Sequence, residues 1–378
     1  MPNTANIGFY GGVLFALMLV GWGLAFVWGP FADRFGRVRT LIFTLLLYSL
    51  FTFLSAAATS VWALAVYRLL VGLTMGAEWS MAGTFLAEKW PEDRRIMGAG
   101  LMQTGYYFGI LLAAVANHIV GGHFGWRAMY VLGGTPALII AFLYYKVREP
   151  ERWENRHRQL KGKWSAQRSL SSIFSRDYRR RTILNTFYVF VSLAGFWGGS
   201  AYVPASVNFL SGRVGLTGAQ NNDWVNLATV LLSVATILGC LIVPFVTERL
   251  GRRATLGTFY LVMLFSLMFG FGYVFYLKQG ALFWFMACVS LLGFGGANFV
   301  MYPIWLPEQY PTECRASAFA FSTSAGRFAS AGITFLVGAG IRHFQTIGIP
   351  VALTAAVFVI GTLLLPFGKE TKGQPLPA

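Results

Sequence analysis

The sequence predicts an all-α membrane protein that crosses the bilayer many times, and three features of the chain support this class. Its 378 residues are 56% hydrophobic, and only 12% are charged, which is about half the charged fraction of a soluble domain. Apolar runs of about 20 residues, the length that a helix needs to cross a bilayer, recur along the whole chain. Nearly all lysines and arginines fall between these runs. An ordinary soluble domain is excluded.

The apolar runs define eleven predicted membrane helices. Their expected spans are 7–30, 41–59, 61–87, 96–120, 126–146, 183–209, 223–246, 255–277, 281–306, 317–341 and 347–367. Five precede a stretch rich in Lys and Arg, and six follow it. The predicted units are an N-terminal helical half (1–146), a basic cytoplasmic linker (147–182), a C-terminal helical half (183–368) and a cytoplasmic tail (369–378).

The net charge of +16 is a topology signal rather than a sign of nucleic-acid binding. Of the 30 lysines and arginines, 24 lie in the loops on one side of the predicted bundle, 4 in the opposite loops and 2 within helices. Because cytoplasmic loops carry an excess of Lys and Arg, the basic side is predicted to face the cytoplasm. The N-terminus of this chain is then expected on the outer side of the cytoplasmic (inner) membrane, and its C-terminus on the cytoplasmic side.

The sequence offers no pattern typical of metal, nucleotide or covalent chemistry. Its three cysteines and four histidines lack metal-ligand spacing. No G-x-x-x-x-G-K-[ST] loop is present, and no loop combines a nucleophile, a base and an orienting group. We therefore expect no metal, no cofactor, no ATP-driven step and no enzymatic activity.

An internal duplication divides the chain into two related halves. The segment FADRFGRVRT (31–40) is echoed by VTERLGRRAT (246–255), and EKWPEDRR (88–95) is echoed by EQYPTECR (308–315). The two offsets, 215 and 220 residues, are nearly equal, and each pair follows corresponding helices. Such agreement predicts a repeated architecture.

The duplication also predicts an absent helix. The helix 183–209 precedes the one that leads into the second repeat, and its counterpart in the first half would lie about 30 residues before Met1. We predict a twelve-helix parent whose first helix is missing from this chain; a natural eleven-helix protein is the alternative. Translation of the upstream DNA tests this, because a stop codon with no apolar span before it would contradict the prediction.

The repeated loop resembles a signature of the major facilitator superfamily, G-x-x-x-D-R-x-G-R, found between the second and third family helices. The matching residues are Gly29, Asp33, Arg34, Gly36 and Arg37. Val38 departs from the basic residue usual at that place, and the second copy has Pro244 and Glu248 at the glycine and aspartate positions. The resemblance covers essentially the whole chain. It implies a two-half bundle with family helices 2–6 before the linker and 7–12 after it.

Further segments indicate a branch of that family. RLLVGLTMGAEW, REPERW and KETKGQPLP resemble the branch that contains sugar porters and proton-coupled organic-acid symporters, and SAGRFASAG resembles the aromatic-acid and sialate-type symporters. The fifth family helix lacks the G-P pair of drug antiporters, and the seventh lacks the paired glutamines of sugar porters. The resemblance thus implies an organic-acid:proton symporter of the aromatic-acid, sialate or lactate type.

Arg327 is the most informative candidate for substrate binding. A charge at the centre of a bilayer costs roughly 2.5–3.5 kcal/mol unless it faces protein or water. Thr323, four residues earlier, lies on the same helical face. A guanidinium beside hydroxyl groups can bind a carboxylate through two hydrogen bonds. A structural ion pair with another helix is the alternative.

Polar and aromatic residues of other helices extend this predicted substrate site. They are Gln103, Tyr106, Tyr107, Trp197, Tyr202 and Asn298. Their side chains would suit a wet central cavity and an aromatic or sugar-like substrate, although small polar residues also hold membrane helices together.

Glu78 is predicted to take the coupling proton, and Arg68 to bind the anion or to tune the pKa of Glu78. Ten residues of helix separate the two by about 15 Å along the axis and about 80° around it. They cannot pair directly, so each needs a partner on another helix.

The repeated loops are predicted to form a conformational latch between the halves, because ion pairs at helix ends can hold one state of a rocking two-half transporter and open in another. The alternative is that these arginines only set the topology. The predicted latch residues are Asp33, Arg34, Gly36, Arg37, Glu88, Arg95, Glu248, Arg249, Gly251, Arg252, Glu308 and Arg315.

These features together predict secondary transport of a small organic anion, a carboxylate, by proton symport with alternating access. The expected partners are the substrate, protons and the lipid bilayer, and the protein is expected to be a monomer. A sugar or polyol porter is the alternative within transport, and competition between uncharged and anionic substrates separates the two. A non-transporting sensor or an inactive fragment is the alternative from another class. A ligand-induced thermal shift without uptake would favour the sensor, and neither signal would favour the fragment.

Overall fold

The computed structural model describes residues 4–144, 146–160 and 166–377, and this part of the chain is helical without a β-strand. An all-helical fold suits a chain that lies in lipid, because no water is available there to satisfy the backbone N–H and C=O groups. An α-helix satisfies these groups within its own segment.

The N-terminal half begins with α1 (Thr4–Leu24), which runs through a 3₁₀ turn (Ala25–Val27) into α2 (Trp28–Phe35). It continues with α3 (Arg37–Ala56), α4 (Val61–Lys89), α5 (Arg95–Ala116), a π-helical turn (Asn117–Gly121) and α6 (Gly122–Tyr144). The linker contains two short helices, α7 (Glu151–Leu160) and α8 (Ala166–Ile173).

The C-terminal half contains nine helices, several of which are stacked end to end. They are α9 (Arg179–Ser200), α10 (Val203–Arg213), α11 (Ala219–Leu250), α12 (Arg252–Gly272), α13 (Ala281–Gly296), α14 (Met301–Trp305), α15 (Arg315–Phe344), α16 (Gly348–Leu353) and α17 (Ala356–Leu364).

Ten of the described helical segments are long and apolar enough to cross a membrane. They correspond to ten of the eleven predicted spans. The eleventh, α15, is 30 residues long but is not among the ten. Many helices of membrane-spanning length and apolarity are therefore confirmed, while the count of eleven stays a prediction.

The span predicted at 183–209 is longer than expected and is broken in the middle. It extends over Arg179–Arg213, with an interruption between Ser200 and Val203. Pro204 lies in the first turn of α10. A proline has no N–H to donate to the carbonyl four residues earlier, and it is well tolerated in the first turn of a helix, so Pro204 suits the start of α10.

The two halves meet along α5 with α11 and along α2 with α15. Within the halves, α1 packs along α4, and α9 packs along α15. The α1–α4 contact is close because Gly72 has no side chain: a Cβ added there would lie 2.0 Å from the carbonyl oxygen of Met18.

One face of α5 is open. The duplication pairs α5 with α15, since each follows one copy of the second repeat. Whereas α15 has α9 alongside it, a Cβ added at Gly105 or Gly109 of α5 would meet nothing within 4 Å. The missing first helix stays a prediction.

The linker packs against the basic end of the bundle, which we define as the end that carries Gly36, loop 90–94, loop 306–314 and the tail 368–377. Trp153 of α7 is buried, and its Nε1 donates a hydrogen bond to the carbonyl of Asp33 at 2.9 Å. In α8, Ser169 donates to the carbonyl of Glu313 at 3.0 Å. These contacts connect both described linker helices to the helical halves.

Candidate functional site: a central cavity and an ion network across the halves

A cavity of about 360 Å³ lies between the two halves. Helices α1, α4 and α5 of the first half and α9 and α15 of the second contribute to its wall. The wall is largely aromatic. The two charged side chains among its described residues are Glu78 and Arg327, both of which the sequence analysis selected.

Arg327 lies close to two indole rings at this cavity. Its guanidinium carbon is 4.5 Å from the ring centroid of Trp22 and 5.5 Å from that of Trp79. Both distances suit cation–π attraction, which is stronger for a desolvated cation. The residue is only 9% exposed, and its Nε and Nη1 atoms lack hydrogen-bond partners among the described residues. Unused donors of a buried cation thus border the cavity.

Glu78 contributes a buried acid to the same wall. Its Oε1 atom has no hydrogen-bond partner in the described part of the chain. An unpaired charged group that is shielded from water is unfavourable. Polar groups of this kind inside membrane proteins usually serve a substrate or ion pathway.

Four other predicted substrate residues line the cavity: Gln103, Tyr106, Tyr107 and Trp197. Gln103 is fixed by a hydrogen bond that its Oε1 accepts from Trp79 Nε1 at 3.1 Å. The rings of Tyr106 and Tyr107 meet edge to face, with centroids 5.3 Å apart. α5 therefore supplies an amide and two phenols to the cavity.

The remaining predicted substrate residues do not line the cavity. Thr323 donates back to the carbonyls of Phe319 and Ala320 in its own helix, at 3.0 and 3.1 Å. Asn298 donates to the carbonyl of Gly295 at 2.8 Å. Tyr202 lies at the break between α9 and α10. Their roles in substrate binding stay predictions.

Arg68 is also separate from the cavity. Its guanidinium carbon lies 5.8 Å from the ring centroid of Tyr130 in α6. The partner expected on another helix is thus an aromatic ring. Arg68 and Glu78 are not brought together, as the helical geometry predicted.

Sequence reasoning missed the apolar wall of the cavity. Its members are Trp22, Trp79, Ala82, Met102, Gly105, Leu193, Phe196 and Phe299. Trp79 follows Glu78 directly and could have been found from that neighbour. The others carry no such signal, because aromatic and aliphatic residues are ordinary in lipid-facing helices.

A triad of buried charges at the basic end joins the halves. Arg37 binds Glu88 through Nε and Nη2, at 2.9 and 3.0 Å. Arg315 of the other half binds the same carboxylate at 2.6 Å. All three side chains are fully buried. One carboxylate from the first half is thus shared by an arginine from each half.

The duplication creates a second, reciprocal triad. Arg252 binds Glu308 through Nε and Nη2, at 2.9 and 2.6 Å. Arg95 of the first half completes it at 2.8 Å. Here the carboxylate belongs to the second half, so each half supplies the shared acid once.

Asp33 adds a third contact between the halves. Its carboxylate accepts hydrogen bonds from the backbone N–H groups of Ala316 and Ser317, at 3.2 and 3.0 Å, at the start of α15. Its repeat counterpart Glu248 is exposed and has no such bond in the described chain. The duplication is therefore asymmetric at this position.

Both loop glycines lie beside a carboxylate that caps the next helix. Gly36 has φ 111° and ψ 154°, a conformation open to glycine almost alone. Glu149 lies against it and accepts hydrogen bonds from the N–H groups of Arg37, Val38 and Arg39, at 2.8 to 3.1 Å. In the second half, Gly251 has φ 85°.

Glu370 fills the equivalent place beside Gly251. It accepts hydrogen bonds from the N–H groups of Arg252 and Arg253, at 3.0 and 3.1 Å. Burial raises the pKa of Glu370, but hydrogen bonds from four backbone N–H groups outweigh this, so its pKa is lowered overall. The REPERW and KETKG segments thus contribute matching helix caps.

Three predicted latch residues lie outside these networks, Glu248 and two arginines. Arg34 is exposed, with its guanidinium carbon 5.0 Å from the ring centroid of Phe35. Arg249 is also exposed, and its carbonyl accepts a hydrogen bond from Lys372 Nζ at 2.9 Å. The other nine of the twelve predicted latch residues belong to the two triads, the Asp33 contact or the two glycine caps.

Comparisons with known proteins agree with this architecture. Residues 3–334 match the Major Facilitator Superfamily. The niacin transporter NiaP of Acinetobacter baylyi is 27% identical over 97% of this chain and 86% of that protein. The cis,cis-muconate transport protein of the same organism is 26% identical over 96% and 86%. The solved structure of the proton:xylose symporter XylE shares the fold, with a TM-score of 0.78 at 19% identity over 99% of this chain and 89% of that one.

The family match covers most of the chain and agrees with the two helical halves, the cavity between them and the duplicated loops. The relatives are transporters of small metabolites, organic acids among them. The chain accordingly belongs to the major facilitator superfamily, as a multi-pass membrane transporter and not an enzyme.

Proposed function

We propose that this protein carries a small organic anion, a carboxylate, across the cytoplasmic membrane together with a proton. Arg327 carries this proposal. Its guanidinium is buried, its Nε and Nη1 atoms have no partner among the described residues, and it borders a cavity of about 360 Å³. A planar guanidinium donates two parallel hydrogen bonds to a carboxylate.

The aromatic wall favours a substrate with a flat or unsaturated body. Trp22 and Trp79 hold the guanidinium, and Phe196, Trp197 and Phe299 lie among the other wall residues. Aromatic rings bury large apolar area and prefer stacked or edge-to-face neighbours. NiaP and the muconate transport protein are named for carboxylic acids of this kind, which supports the same substrate class.

Glu78 is the proposed site of the coupling proton. It shares the cavity with Arg327, so its protonation removes a negative charge from the surroundings of the substrate. An anion and a proton would then enter the site together, and each would improve the binding of the other.

The two triads and the Asp33 contact are the proposed latch. They join the halves at the basic end, while the cavity lies deeper between them. For the substrate to leave at the basic end, these contacts must break, as alternating access by rocking halves requires. We propose that the basic end faces the cytoplasm.

Ligand-induced thermal shift tests the role of Arg327. Nicotinate or benzoate should raise the Tm of the wild-type protein, while nicotinamide, an uncharged analogue of nicotinate, and xylose should not. Arg327→Gln should weaken the apparent affinity by about tenfold to a hundredfold, because a hydrogen bond to a charged group contributes about 1.5–3 kcal/mol.

Arg342→Gln is the matched control, since Arg342 is an exposed arginine at the far end of the same helix. It should leave the affinity unchanged. An Arg327→Gln protein that binds carboxylates as tightly as the wild type would remove Arg327 from the substrate site. Stabilisation by xylose alone would favour the sugar-porter alternative.

A further inference from the structure

A second cavity lies away from the central site, where α9 begins and where the chain continues from α17 into the tail. It encloses about 250 Å³, and its wall includes Arg180, Arg181 and Lys369. The lining contains no carboxylate among its described residues. Three cations therefore border one small space that has no acid in its wall.

The inner wall of this cavity is polar and well ordered by hydrogen bonds. Asn185 and Gln309 are each 1% exposed and bind each other through both amide groups at 3.2 Å. Arg181 Nη1 donates to the carbonyl of Gln309 at 3.1 Å. Arg181 is thereby held in place, whereas Arg180 and Lys369 form no ion pair within the described chain.

An apolar cavity of about 370 Å³ adjoins this polar one. The two share Arg180, Leu184 and Phe367, and the second adds Arg179, Ile183 and Leu364. Ile183 is 63% exposed and Phe367 is 57% exposed, as expected of side chains that face acyl chains. A compartment lined by cations thus opens beside an apolar one.

The pair of cavities lies at the ends of two candidate membrane spans. One candidate span begins at Arg179, and another ends at Phe367. Long basic side chains at helix ends reach towards the interface with their charged groups. Basic pockets between membrane helices at that level suit the head groups of anionic lipids.

We propose that these two cavities bind one anionic phospholipid. Its phosphate would lie among Arg180, Arg181 and Lys369, and an acyl chain would lie along Ile183 and Phe367. The cations supply charge complementarity, and the adjoining apolar cavity favours a lipid over a soluble phosphate. This proposal does not depend on the substrate of the central cavity.

Native mass spectrometry of the full chain tests the proposal. The protein in neutral detergent is mixed with dioleoyl phosphatidylglycerol or dioleoyl phosphatidylcholine, and bound lipid is counted. We expect the anionic lipid to bind at least fivefold better, and the double variant R180Q/K369Q to lose this preference. Equal binding of both lipids to the wild type would overturn the proposal.

A double variant of equal charge change separates the site from general electrostatics. Arg148 and Arg176 are exposed arginines of the linker that line neither cavity. R148Q/R176Q should keep the preference for phosphatidylglycerol, and its loss there would contradict a local site.

A soluble phosphate ester tests whether the cavity binds a lipid head group or a free phosphate. Glycerol 3-phosphate should raise the Tm of the wild type far less than phosphatidylglycerol at the same concentration. If it raises the Tm equally, the cavity binds free phosphate and the lipid proposal is wrong.

Discussion

Arg327 and Glu78 carry opposite charges at one cavity, yet each has polar atoms without a partner among the described residues. Removing a charge from water costs several kcal/mol unless a partner offsets it. The indoles of Trp22 and Trp79 offset part of that cost for Arg327. A bound carboxylate would supply the rest, which gives the site a physical reason to bind an anion.

Glu78→Gln should uncouple transport from the proton gradient. The amide has nearly the same shape but cannot take up and release a proton, so accumulation driven by a pH gradient should be lost in proteoliposomes. Counterflow exchange of the same substrate should persist, because it needs no net proton movement.

Glu154→Gln provides the control for this experiment, since Glu154 is an exposed carboxylate on α7. It should accumulate substrate normally. Accumulation by Glu78→Gln at the wild-type level would show that another group carries the proton.

At the scale of single residues, the sequence predicts the charged side chains of the cavity but not its apolar wall. Arg327 and Glu78 are conspicuous because full charges are rare inside apolar helices. Trp22 and Phe299 are inconspicuous because an aromatic residue in such a helix is ordinary. That they border the cavity depends on how six helical segments pack, which no local pattern contains.

At the scale of the elements, the helix caps beside Gly36 and Gly251 can be tested by substituting each glycine. A Cβ added at Gly36 would lie 2.3 Å from Glu149 Oε1, and one added at Gly251 would lie 3.0 Å from Glu370 Oε2. Both backbones have a positive φ, so strain is common to the two, while the steric conflict is more severe at Gly36.

Gly36→Ala should therefore lower the free energy of unfolding by at least about 1–3 kcal/mol. Gly251→Ala should lower it by less. Thermal unfolding in detergent measures both. Gly212→Ala is the control, because a Cβ there would meet nothing within 4 Å and φ is not positive. If Gly36→Ala and Gly212→Ala have the same Tm, the cap at Glu149 has no importance for stability.

The cap at Glu370 should make stability depend on pH. Its pKa is lowered in the folded protein, so the folded state favours the ionised form. The contribution is fully present above the ordinary glutamate pKa, near 4.5, and is lost as the pH falls through the lowered value.

Thermal unfolding of wild type and Glu370→Gln between pH 6 and pH 3 checks this dependence. The wild type should have the higher Tm at pH 6, and the difference should disappear at the acidic end. A Tm difference that does not change with pH would contradict the cap as an electrostatic interaction.

The elements themselves follow from the sequence to different degrees. Long apolar runs determine the helices, because hydrophobicity and length are local properties. The caps were not predicted, although REPERW and KETKG were recognised as segments, because Glu149 lies 112 residues beyond Arg37 along the chain. The break before Pro204 could not be predicted from the proline alone, because Pro136 and Pro244 lie inside the helices α6 and α11.

For the molecule as a whole, we expect the two triads to control whether the halves are closed or open at the basic end. Glu88→Gln removes the charge shared by Arg37 and Arg315. The halves should then separate more often at that end. Cys314, a free and fully buried thiol one residue before Arg315, is a natural reporter of this opening.

Maleimide labelling of Cys314, quantified by peptide mass spectrometry, should increase several-fold in Glu88→Gln. Cys288, a buried thiol of α13 that packs against Gly270 of α12 within the second half, is the internal control and should not change. An unaltered rate at Cys314 would mean that the triad does not control opening.

The duplication explains why much of this network could be anticipated. The two repeats align Arg37 with Arg252 and Glu88 with Glu308 on sequence alone. The alignment does not show that each acid also binds an arginine of the other half, as Arg315 binds Glu88 and Arg95 binds Glu308. That pairing depends on how the halves dock. The alignment also pairs Glu248 with Asp33, but Glu248 is exposed in the structure.

The most direct test of the central claim is uptake of labelled nicotinate or benzoate into proteoliposomes under an imposed pH gradient. Wild-type protein should accumulate the carboxylate and should carry protons with it, with inhibition by other carboxylates and not by nicotinamide or xylose. Arg327→Gln should reduce this uptake by about tenfold or more at low substrate concentration, while Arg342→Gln retains it. Accumulation of xylose in place of the carboxylate, or carboxylate uptake that Arg327→Gln leaves intact, would contradict the account.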